Sequence, residues 1–350
     1  MDPAEEDRDE VGEAPVRTSE RALVTGATGC LGRHLVDALV ARGTSVRAFA
    51  RESSRTDHLE NLGVEIQRGS LVDERDLERA VAGADTVFHL GGLVHDDPND
   101  TSDELWQQLQ RVNVEGSERL ARLAAAAGAT RFVFASSLRV SGFGNQILWP
   151  EDGARTSGDS YARSKELAEA ALLAVGRDTG LEVVCIRPRF IYGNHDRYVL
   201  PQLVQSVQRG VVPVASNETI CDIVYVGDCV QALLLAAERP VGGRSYNITS
   251  GECLSFQEIL SEVGRALGTT PRFLPMPPSV LVGAAMGAEL VARALGRRPG
   301  WSRARVRWLL NDHHFSIAKA RDELGYQPRY PLREGLAEID LRQFVSNGRI

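Results

Sequence analysis

The sequence has little of what covalent cross-links and metal sites require. Its 350 residues include five cysteines and seven histidines. The cysteines are scattered and never form a Cys-x-x-Cys pair, which argues against a disulfide framework and is typical of small core thiols in a reducing compartment. Metal-ligand spacing is also missing around the candidate histidines, so no metal site is predicted. These histidines are His95, His195, His313 and His314.

The sequence also lacks a basic stripe, a long apolar run and a signal peptide. Its formal net charge of -7 at pH 7 argues against a nucleic acid as partner. Prolines and charges interrupt the least charged stretch, at 273–295, so no membrane span is expected, while peripheral contact with lipid stays open. Residues 1–20 are acidic without an apolar core, and we predict a disordered acidic tail there. The expected location is the cytoplasm.

From Ala22 onward, short apolar runs alternate with segments of helical periodicity. The runs include "RALVTG", "SVRAFAR", "DTVFHLGG" and "LEVVCIRP". Strands that are apolar on both faces and alternate with helices are typical of a parallel sheet covered on both sides. The pattern predicts an α/β fold of the Rossmann type, with a doubly wound parallel sheet at 21–192. We expect 193–350 to form mainly a smaller C-terminal substrate-binding lobe, with 221–238 as a candidate for a return to the first domain.

A glycine-rich segment, "TGATGCLG", directly follows the first predicted strand and carries Gly26, Gly29 and Gly32. Glycines let the backbone N–H groups approach a pyrophosphate, and the next helix presents its positive N-terminus. A glycine triplet alone is also typical of an ordinary strand-to-helix turn. Because strand, triplet, amphipathic helix and second strand occur together, the segment predicts a dinucleotide site.

The residue at the end of the second predicted strand bears on the choice of cofactor. An NAD site usually has an acidic side chain there for the ribose 2′-hydroxyl, whereas this chain has Arg51. A guanidinium attracts a 2′-phosphate and binds it through two hydrogen bonds, with Ser53, Ser54 or Arg55 as further donors. NADP(H) is therefore favoured over NAD(H). The alternative interpretation is an arginine in a solvated loop.

A tyrosine and a lysine lie four residues apart in "SYARSK", which opens a predicted helix. Tyr161 and Lys165 share a helix face, and an ammonium near a phenol is expected to lower the phenol pKa, making it an acid and base. Such spacing is common by chance. Here it follows "FVFASS", a strand that ends in Ser136 and Ser137, where a hydroxyl can bond the oxygen that the tyrosine protonates.

Glycines, serine, tyrosine and lysine in this order resemble the extended short-chain dehydrogenase/reductase family, in its epimerase and 3β-hydroxysteroid dehydrogenase-like branch. Further segments are similar to that family: "VFHLGG" to its fourth strand, "VNVEGSERL" to its Asn-x-x-Gly helix start, "IRPRFIYGN" to its Arg-Pro…Tyr-Gly segment and "DIVYVGD" to its later strand-to-helix turn. The resemblance extends from about Ala22 to the C-terminus. It also implies a homodimer, because the family often dimerises through the helix that bears the tyrosine.

The resemblance implies a role for each motif residue. Ser137 orients the substrate, Tyr161 is the general acid/base, and Lys165 binds the nicotinamide ribose and tunes Tyr161. Ser137 is preferred to Ser136 because the family's serine lies three residues before the valine of a Val-Tyr-Gly turn, here 140–142, with serine in place of that tyrosine. The implied cofactor-binding residues are Gly26, Thr28, Gly29, Cys30, Leu31, Gly32, Arg51, Ser70, Leu71, Leu90, Gly91, Gly92, Asn113, Tyr161, Lys165 and Pro188.

Family members catalyse several reactions, and neighbouring residues distinguish them. Dehydratases carry an acidic pair after the catalytic hydroxyl residue, where this chain has Leu138 and Arg139. Sugar-nucleotide epimerases usually bind the diphosphate with an arginine at the position occupied here by Cys221. The C-terminal third is similar to the hydroxysteroid dehydrogenase-like branch. The sequence thus predicts an NADP-dependent oxidoreductase acting on a hydrophobic ketone or secondary alcohol. A nucleotide-sugar epimerase and a non-catalytic cofactor sensor are the alternatives.

The predicted hydrophobic substrate requires an apolar wall, and the stretch at 273–295 is the candidate. Helical spacing gathers its apolar residues broadly on one side, which we expect to line the substrate pocket. The alternative is an ordinary helix that faces the core. The residues are Val280, Leu281, Ala284, Ala285, Ala288, Leu290, Val291 and Leu295.

Overall fold

The computed structural model describes residues 21–345 except 96–101, 143–147, 154–158, 217–218, 240, 296–301, 304–305, 307–309 and 312–313. The predicted tail at 1–20 lies outside the described residues. The strands are β1 (Arg21–Thr25), β2 (Ser45–Ala50), β3 (Glu65–Arg68), β4 (Thr86–His89), β5 (Arg131–Ala135), β6 (Glu182–Pro188), β7 (Ile191–Tyr192), β8 (Val211–Ala215), β9 (Val224–Tyr225), β10 (Arg244–Ile248) and β11 (Arg272–Met276). The α-helices are α1 (Cys30–Ala41), α2 (Asp57–Asn61), α3 (Glu74–Val81), α4 (Asp103–Leu109), α5 (Gly116–Ala126), α6 (Ser160–Thr179), α7 (Val199–Gln208), α8 (Val226–Glu238), α9 (Phe256–Ala266), α10 (Pro278–Ala294) and α11 (Leu332–Ala337).

A seven-stranded parallel sheet in the order β3-β2-β1-β4-β5-β6-β10 forms the centre of the molecule. Every residue of β4 and β5 is buried, because helices cover both faces of the sheet. The predicted doubly wound α/β fold is confirmed. The chain runs outward from β1 in both directions, so the order reverses between β1 and β4, and this point of reversal is where such sheets bind ligands.

Two apolar cores lie on opposite faces of this sheet. On one face, α1 and α8 pack together through residues such as Leu35, Leu39 and Leu233. On the other face, α3, α5 and α6 bury residues such as Leu120 and Leu172. The buried residues of α1 recur at helical spacing while its other side meets solvent, as expected for an amphipathic helix against a sheet.

The chain returns to the sheet after the predicted boundary at 192. Helix α8 packs on α1, and β10 pairs with β6 over five residues, from Arg244 beside Val184 to Ile248 beside Pro188. The stretch predicted as mainly substrate-binding lobe therefore also supplies the outer strand of the central sheet. Strand β10 lies there because its backbone pairs with the free edge of β6. The hydrophobic periodicity of the sequence does not reveal such pairing between distant segments.

The remaining elements form a smaller lobe above the carboxyl ends of the strands. It contains α7, α9, α11 and two small parallel sheets, β8 with β11 and β7 with β9. Its own apolar core includes Val204, Ile259, Val263 and Leu336. Among the helices of the described residues, none combines the length and apolar character that crossing a membrane requires.

Candidate active site

A cleft of about 1520 Å³ runs along the carboxyl ends of the central strands, beneath the smaller lobe. Apart from Asn113, every residue that the sequence analysis proposed for catalysis or cofactor binding lines this cleft. They come from many separate segments of the chain. The parallel sheet brings them together because each segment follows the end of a neighbouring strand.

The glycine-rich loop after β1 forms one end of the cleft. Gly26 has φ of 71°, and a methyl group on its Cα would lie 2.7 Å from the backbone nitrogen of Gly91, so the loops after β1 and β4 touch. Helix α1 begins beyond Gly29 with no side-chain hydrogen bond to its N-cap and no acidic residue in its first turn. Since Gly29 and Cys30 line the cleft, the amides of this turn suit the pyrophosphate of a dinucleotide.

The loop after β2 also reaches the cleft and carries two arginines. Arg51 is exposed and lines the cleft together with Ser53, Ser54 and Arg55. The Nη2 atom of Arg55 lies 3.1 Å from Oδ2 of Asp57, so that carboxylate balances its charge. Arg51 has no ion pair of this kind among the described residues.

Asn113 lies behind the cleft wall, whereas the sequence analysis placed it among the cofactor-binding residues. Its Oδ1 accepts a hydrogen bond of 2.7 Å from the backbone N–H of Leu93, and its Nδ2 donates to the Leu93 carbonyl (2.9 Å) and the Ser164 hydroxyl (3.0 Å). It belongs to a π-helical turn, Gln110–Glu115, between α4 and α5. Asn113 therefore supports the loop after β4 because its polar atoms are used within the protein.

The two serines after β5 both line the cleft, but their environments differ. Ser137 begins a 3₁₀ turn, Leu138–Ser141, and its hydroxyl accepts a hydrogen bond of 3.2 Å from the backbone N–H of Arg139. Ser136 is buried, and its hydroxyl has no hydrogen-bond partner among the described residues.

Helix α6 presents Tyr161 and Lys165 to the same cleft. It begins after Asp159, whose Oδ1 accepts a hydrogen bond of 2.9 Å from the backbone N–H of Ala162. The Nζ atom of Lys165 donates to the carbonyl of Ala135 (2.9 Å) and lies 4.4 Å from the centre of the Phe134 ring. Burial lowers the pKa of Lys165 to about 8, although the nearby Glu169 carboxylate raises it.

The acidity of Tyr161 depends on its burial and on the charges around it. Burial raises the pKa of Tyr161 to about 12, and the Arg139 guanidinium is the cation that opposes this rise. The Cζ atom of Arg139 lies 5.0 Å from the centre of the tyrosine ring. Lys165 is not among the groups that shift the pKa of Tyr161 in this structure, and its ammonium donates to the carbonyl of Ala135. The expectation that Lys165 lowers the phenol pKa stays a prediction.

The prediction that the apolar side of 273–295 lines the substrate pocket was wrong. Leu281 and Ala285 face inward and pack against Ala215 and Val306, whereas Leu290 is 68% exposed. The predicted face of α10 is thus split between a small core and the solvent. No described residue of this helix lines the cleft.

Other elements of the smaller lobe supply the apolar wall that sequence reasoning assigned to α10. The signal was present in α7, whose buried residues Leu200, Leu203, Val204 and Val207 recur at helical spacing. That spacing indicates that one face of α7 is buried, but it does not distinguish a face in the core from a face that lines a pocket. The apolar residues that line the cleft here are Val199, Leu203, Val212, Ile223, Phe256 and Ile259.

Residues 22–249 match the model of the NAD dependent epimerase/dehydratase family. The chain is 31% identical over 341 residues to a 3-beta-hydroxysteroid dehydrogenase from Mycolicibacterium neoaurum, covering 94% of this chain and 93% of that protein. It is 31% identical over 323 residues to a 4-hydroxy-2-methyl-3-oxo-4-farnesyl-3,4-dihydroquinoline-1-oxide ketoreductase from Stigmatella aurantiaca, covering 90% and 94%. The solved structure of MoeE5 with UDP-glucose and NAD superposes with a TM-score of 0.71 at 27% identity, covering 92% and 98%.

The sheet order, the glycine loop and these similarities agree, and the chain belongs to the NAD dependent epimerase/dehydratase family. Within it, the protein is an NAD(P)-dependent enzyme of the extended short-chain dehydrogenase/reductase type, acting on CH–OH and C=O groups.

Proposed function

We propose that this enzyme interconverts a hydrophobic ketone and the corresponding secondary alcohol with NADP(H), using Tyr161 as general acid/base. The observation that carries the proposal is the meeting of Ser137, Tyr161 and Lys165 on one cleft that continues into an apolar wall. A lipid-like ketone gains binding free energy by burying its apolar surface against such a wall, whereas a sugar or a diphosphate has little apolar surface to bury.

In reduction, Tyr161 donates its phenolic proton to the carbonyl oxygen while the Ser137 hydroxyl holds that oxygen by a hydrogen bond. A nicotinamide nucleotide, when bound in the cleft, would supply the hydride for the carbonyl carbon. With a pKa near 12, Tyr161 keeps its proton at neutral pH and is ready to donate it. Alcohol oxidation runs through the same group in reverse, with the Tyr161 phenolate accepting the proton of the alcohol.

The cofactor would be held from the glycine loop to α6. The first-turn amides of α1 suit the pyrophosphate, Lys165 suits the nicotinamide ribose, and Arg51 suits a 2′-phosphate because its guanidinium attracts that dianion. Arg51 is the reason for proposing NADP over NAD. The remaining residues proposed to contact the cofactor are Thr28, Leu31, Gly32, Ser70, Leu71, Leu90, Gly91, Gly92 and Pro188, all on the cleft.

The names of the relatives agree with a lipid-like substrate for this chain. One acts on a hydroxysteroid and another on a farnesylated quinoline oxide, both with large apolar groups. The alternative, epimerisation of a nucleotide sugar, draws support from the MoeE5 likeness. It is disfavoured because Cys221, buried at the cleft, offers a thiol where the epimerases usually have a diphosphate-binding arginine.

A substrate screen tests the proposal. The purified protein is incubated with NADPH and ketones of increasing apolar size, from 3-oxo acyl chains to steroids, and with UDP-glucose and UDP-galactose in parallel, while NADPH absorbance and sugar products are followed. We expect kcat/KM to rise with the apolar size of the ketone. Turnover of the UDP-sugars alone, without net consumption of NADPH, would replace this proposal by the epimerase.

The homodimer stays a prediction, which light scattering on the purified protein tests.

A further inference from the structure

Arg139 connects three segments that border the reaction site. Its backbone N–H donates to the Ser137 hydroxyl (3.2 Å), and its Nη1 donates to the carbonyl of His95 (3.3 Å) in the loop after β4. Its Nη2 donates to Oδ2 of Asp159 (2.6 Å), the residue that caps α6. One side chain therefore ties the turn that carries Ser137 to the helix that carries Tyr161.

We propose that Arg139 is a positioning residue of this enzyme, which fixes Tyr161 relative to Ser137 and holds a positive charge beside the Tyr161 ring when the phenol loses its proton. The inference rests on the proposed role of Tyr161 as general acid/base. Arg139 acts through Tyr161 and through the cap of α6.

The positioning half of the proposal follows from the Asp159 carboxylate. One of its oxygens receives the Arg139 guanidinium and the other receives the backbone N–H of Ala162, so the ion pair is continuous with the first turn of α6. The Asp159 side chain is 8% exposed and that of Arg139 is 25% exposed, so solvent screens this pair only in part. Tyr161 lies in that first turn, and its backbone position is set by the same carboxylate.

The electrostatic half follows from the geometry at the ring. With Cζ of Arg139 5.0 Å from the ring centre, the guanidinium is within cation–π distance of the phenol and attracts the phenolate more strongly still. Arg139 lowers the pKa of Tyr161, whereas the Asp159 carboxylate and the Tyr198 phenol raise it, and the contribution of Arg139 is the largest of the three. Arg139 is partly exposed, whereas Lys165 on α6 and Arg189 after β6 are buried cations that also line the cleft.

The opposite signs of Arg139 and Asp159 distinguish this proposal from a purely structural ion pair. Arg139→Gln removes an attraction for the phenolate, so it should raise the pKa of Tyr161. Asp159→Asn removes a repulsion while asparagine still caps the helix, so it should lower that pKa. Both variants break the same ion pair, and a structural role alone would change both in the same direction.

The test uses the full-length enzyme and two measurements. The first follows ionisation of Tyr161, without substrate, from the ¹³C resonance of its oxygen-bearing ring carbon, assigned with Tyr161→Phe. The second follows the pH dependence of kcat for oxidation of a 3β-hydroxysteroid with NADP⁺, which rises as Tyr161 ionises. We expect the ¹³C titration to begin at higher pH in Arg139→Gln and at lower pH in Asp159→Asn. At about pH 10, below the transition, kcat for oxidation follows the phenolate fraction and should fall in Arg139→Gln and rise in Asp159→Asn, by about tenfold.

Two further variants complete the experiment. Arg163→Gln is the matched control, since its guanidinium lies on the same helix but stacks on Trp106 at 4.4 Å, and neither transition should move. Arg139→Lys keeps the charge, and we expect it to restore the pH profile while kcat stays reduced. If Tyr161 ionises at the same pH in Arg139→Gln and Asp159→Asn as in wild type, this inference is overturned. If Tyr161→Phe oxidises the steroid as fast as wild type, the proposed function fails instead.

Discussion

Lys165 donates a hydrogen bond of 2.9 Å from Nζ to the carbonyl oxygen of Ala135, the last residue of β5. The side chain is buried, and it fastens α6 to the strand that leads to Ser137. Desolvation of the ammonium holds its pKa at about 8, below the 10.5 of an exposed lysine.

This depressed pKa predicts a pH dependence of stability. Between about pH 8 and 10.5 the unfolded chain binds the Lys165 proton and the folded chain does not, so this group makes the free energy of unfolding rise with pH in that window. As the pH rises through this window, we expect the free energy of unfolding of wild type to increase relative to that of Lys165→Met, by up to about 3 kcal/mol. Urea unfolding across this pH range measures it. Comparing the two proteins cancels the contribution of the buried Cys221 and Cys229, whereas the Cys185 thiol interacts with Lys165 and is part of the measured difference. A difference in the free energy of unfolding that does not depend on pH would contradict the shifted pKa.

The second prediction concerns Tyr161, the proposed general acid of ketone reduction. Tyr161→Phe keeps the ring and removes the proton, so kcat for ketone reduction should fall by about 10²- to 10⁴-fold while NADPH affinity is nearly unchanged. Steady-state kinetics and NADPH fluorescence titration give the two quantities. Tyr330→Phe is the control, because Tyr330 packs on Tyr225 and does not line the cleft. Retained activity in Tyr161→Phe would remove Tyr161 from the mechanism.

The third prediction concerns cofactor choice. Arg51→Asp replaces attraction by repulsion at the proposed 2′-phosphate site and should move the ratio of kcat/KM for NADP to that for NAD by about tenfold or more toward NAD. Arg75→Asp makes the same charge change at an exposed position on α3, and the ratio should stay constant. An unchanged ratio in Arg51→Asp would mean that its side chain points into solvent.

The fourth prediction separates the wall of the cleft from the exposed helix. Val199 at the start of α7 is partly exposed and lines the cleft, so Val199→Asp places a charge where an apolar substrate would bind. We expect kcat/KM for large apolar ketones to fall by about tenfold or more, with NADPH binding intact. Leu290→Asp introduces the same charge on the exposed side of α10 and should leave kcat/KM unchanged. Equal effects of the two substitutions would reject this wall.

Local patterns were sufficient for much of the fold. The apolar runs "RALVTG", "SVRAFAR", "DTVFHLGG", "FVFASS" and "LEVVCIRP" are β1, β2, β4, β5 and β6. The periodic segments between them are helices, because strand and helix periodicity arise within a few residues. The glycine loop and the Tyr161–Lys165 spacing are likewise local. Their position at one edge of the sheet follows from parallel topology, which the alternation of strands and helices predicts.

Contacts between distant residues decided the rest. How the helices and strands pack on one another determines three features: the pairing of β10 with β6, the exposed side of α10, and the apolar wall from α7 and α9. The apolar face of a helix does not indicate which neighbour will cover it. The environment of Tyr161 is the sharpest case. Lys165, four residues away, is the partner that helical spacing suggests. The cation beside the Tyr161 ring is instead Arg139, which is 22 positions earlier in the chain and follows a different strand, and burial raises the pKa of the phenol. A pKa depends on burial and on charges in space, and only the tertiary structure determines both.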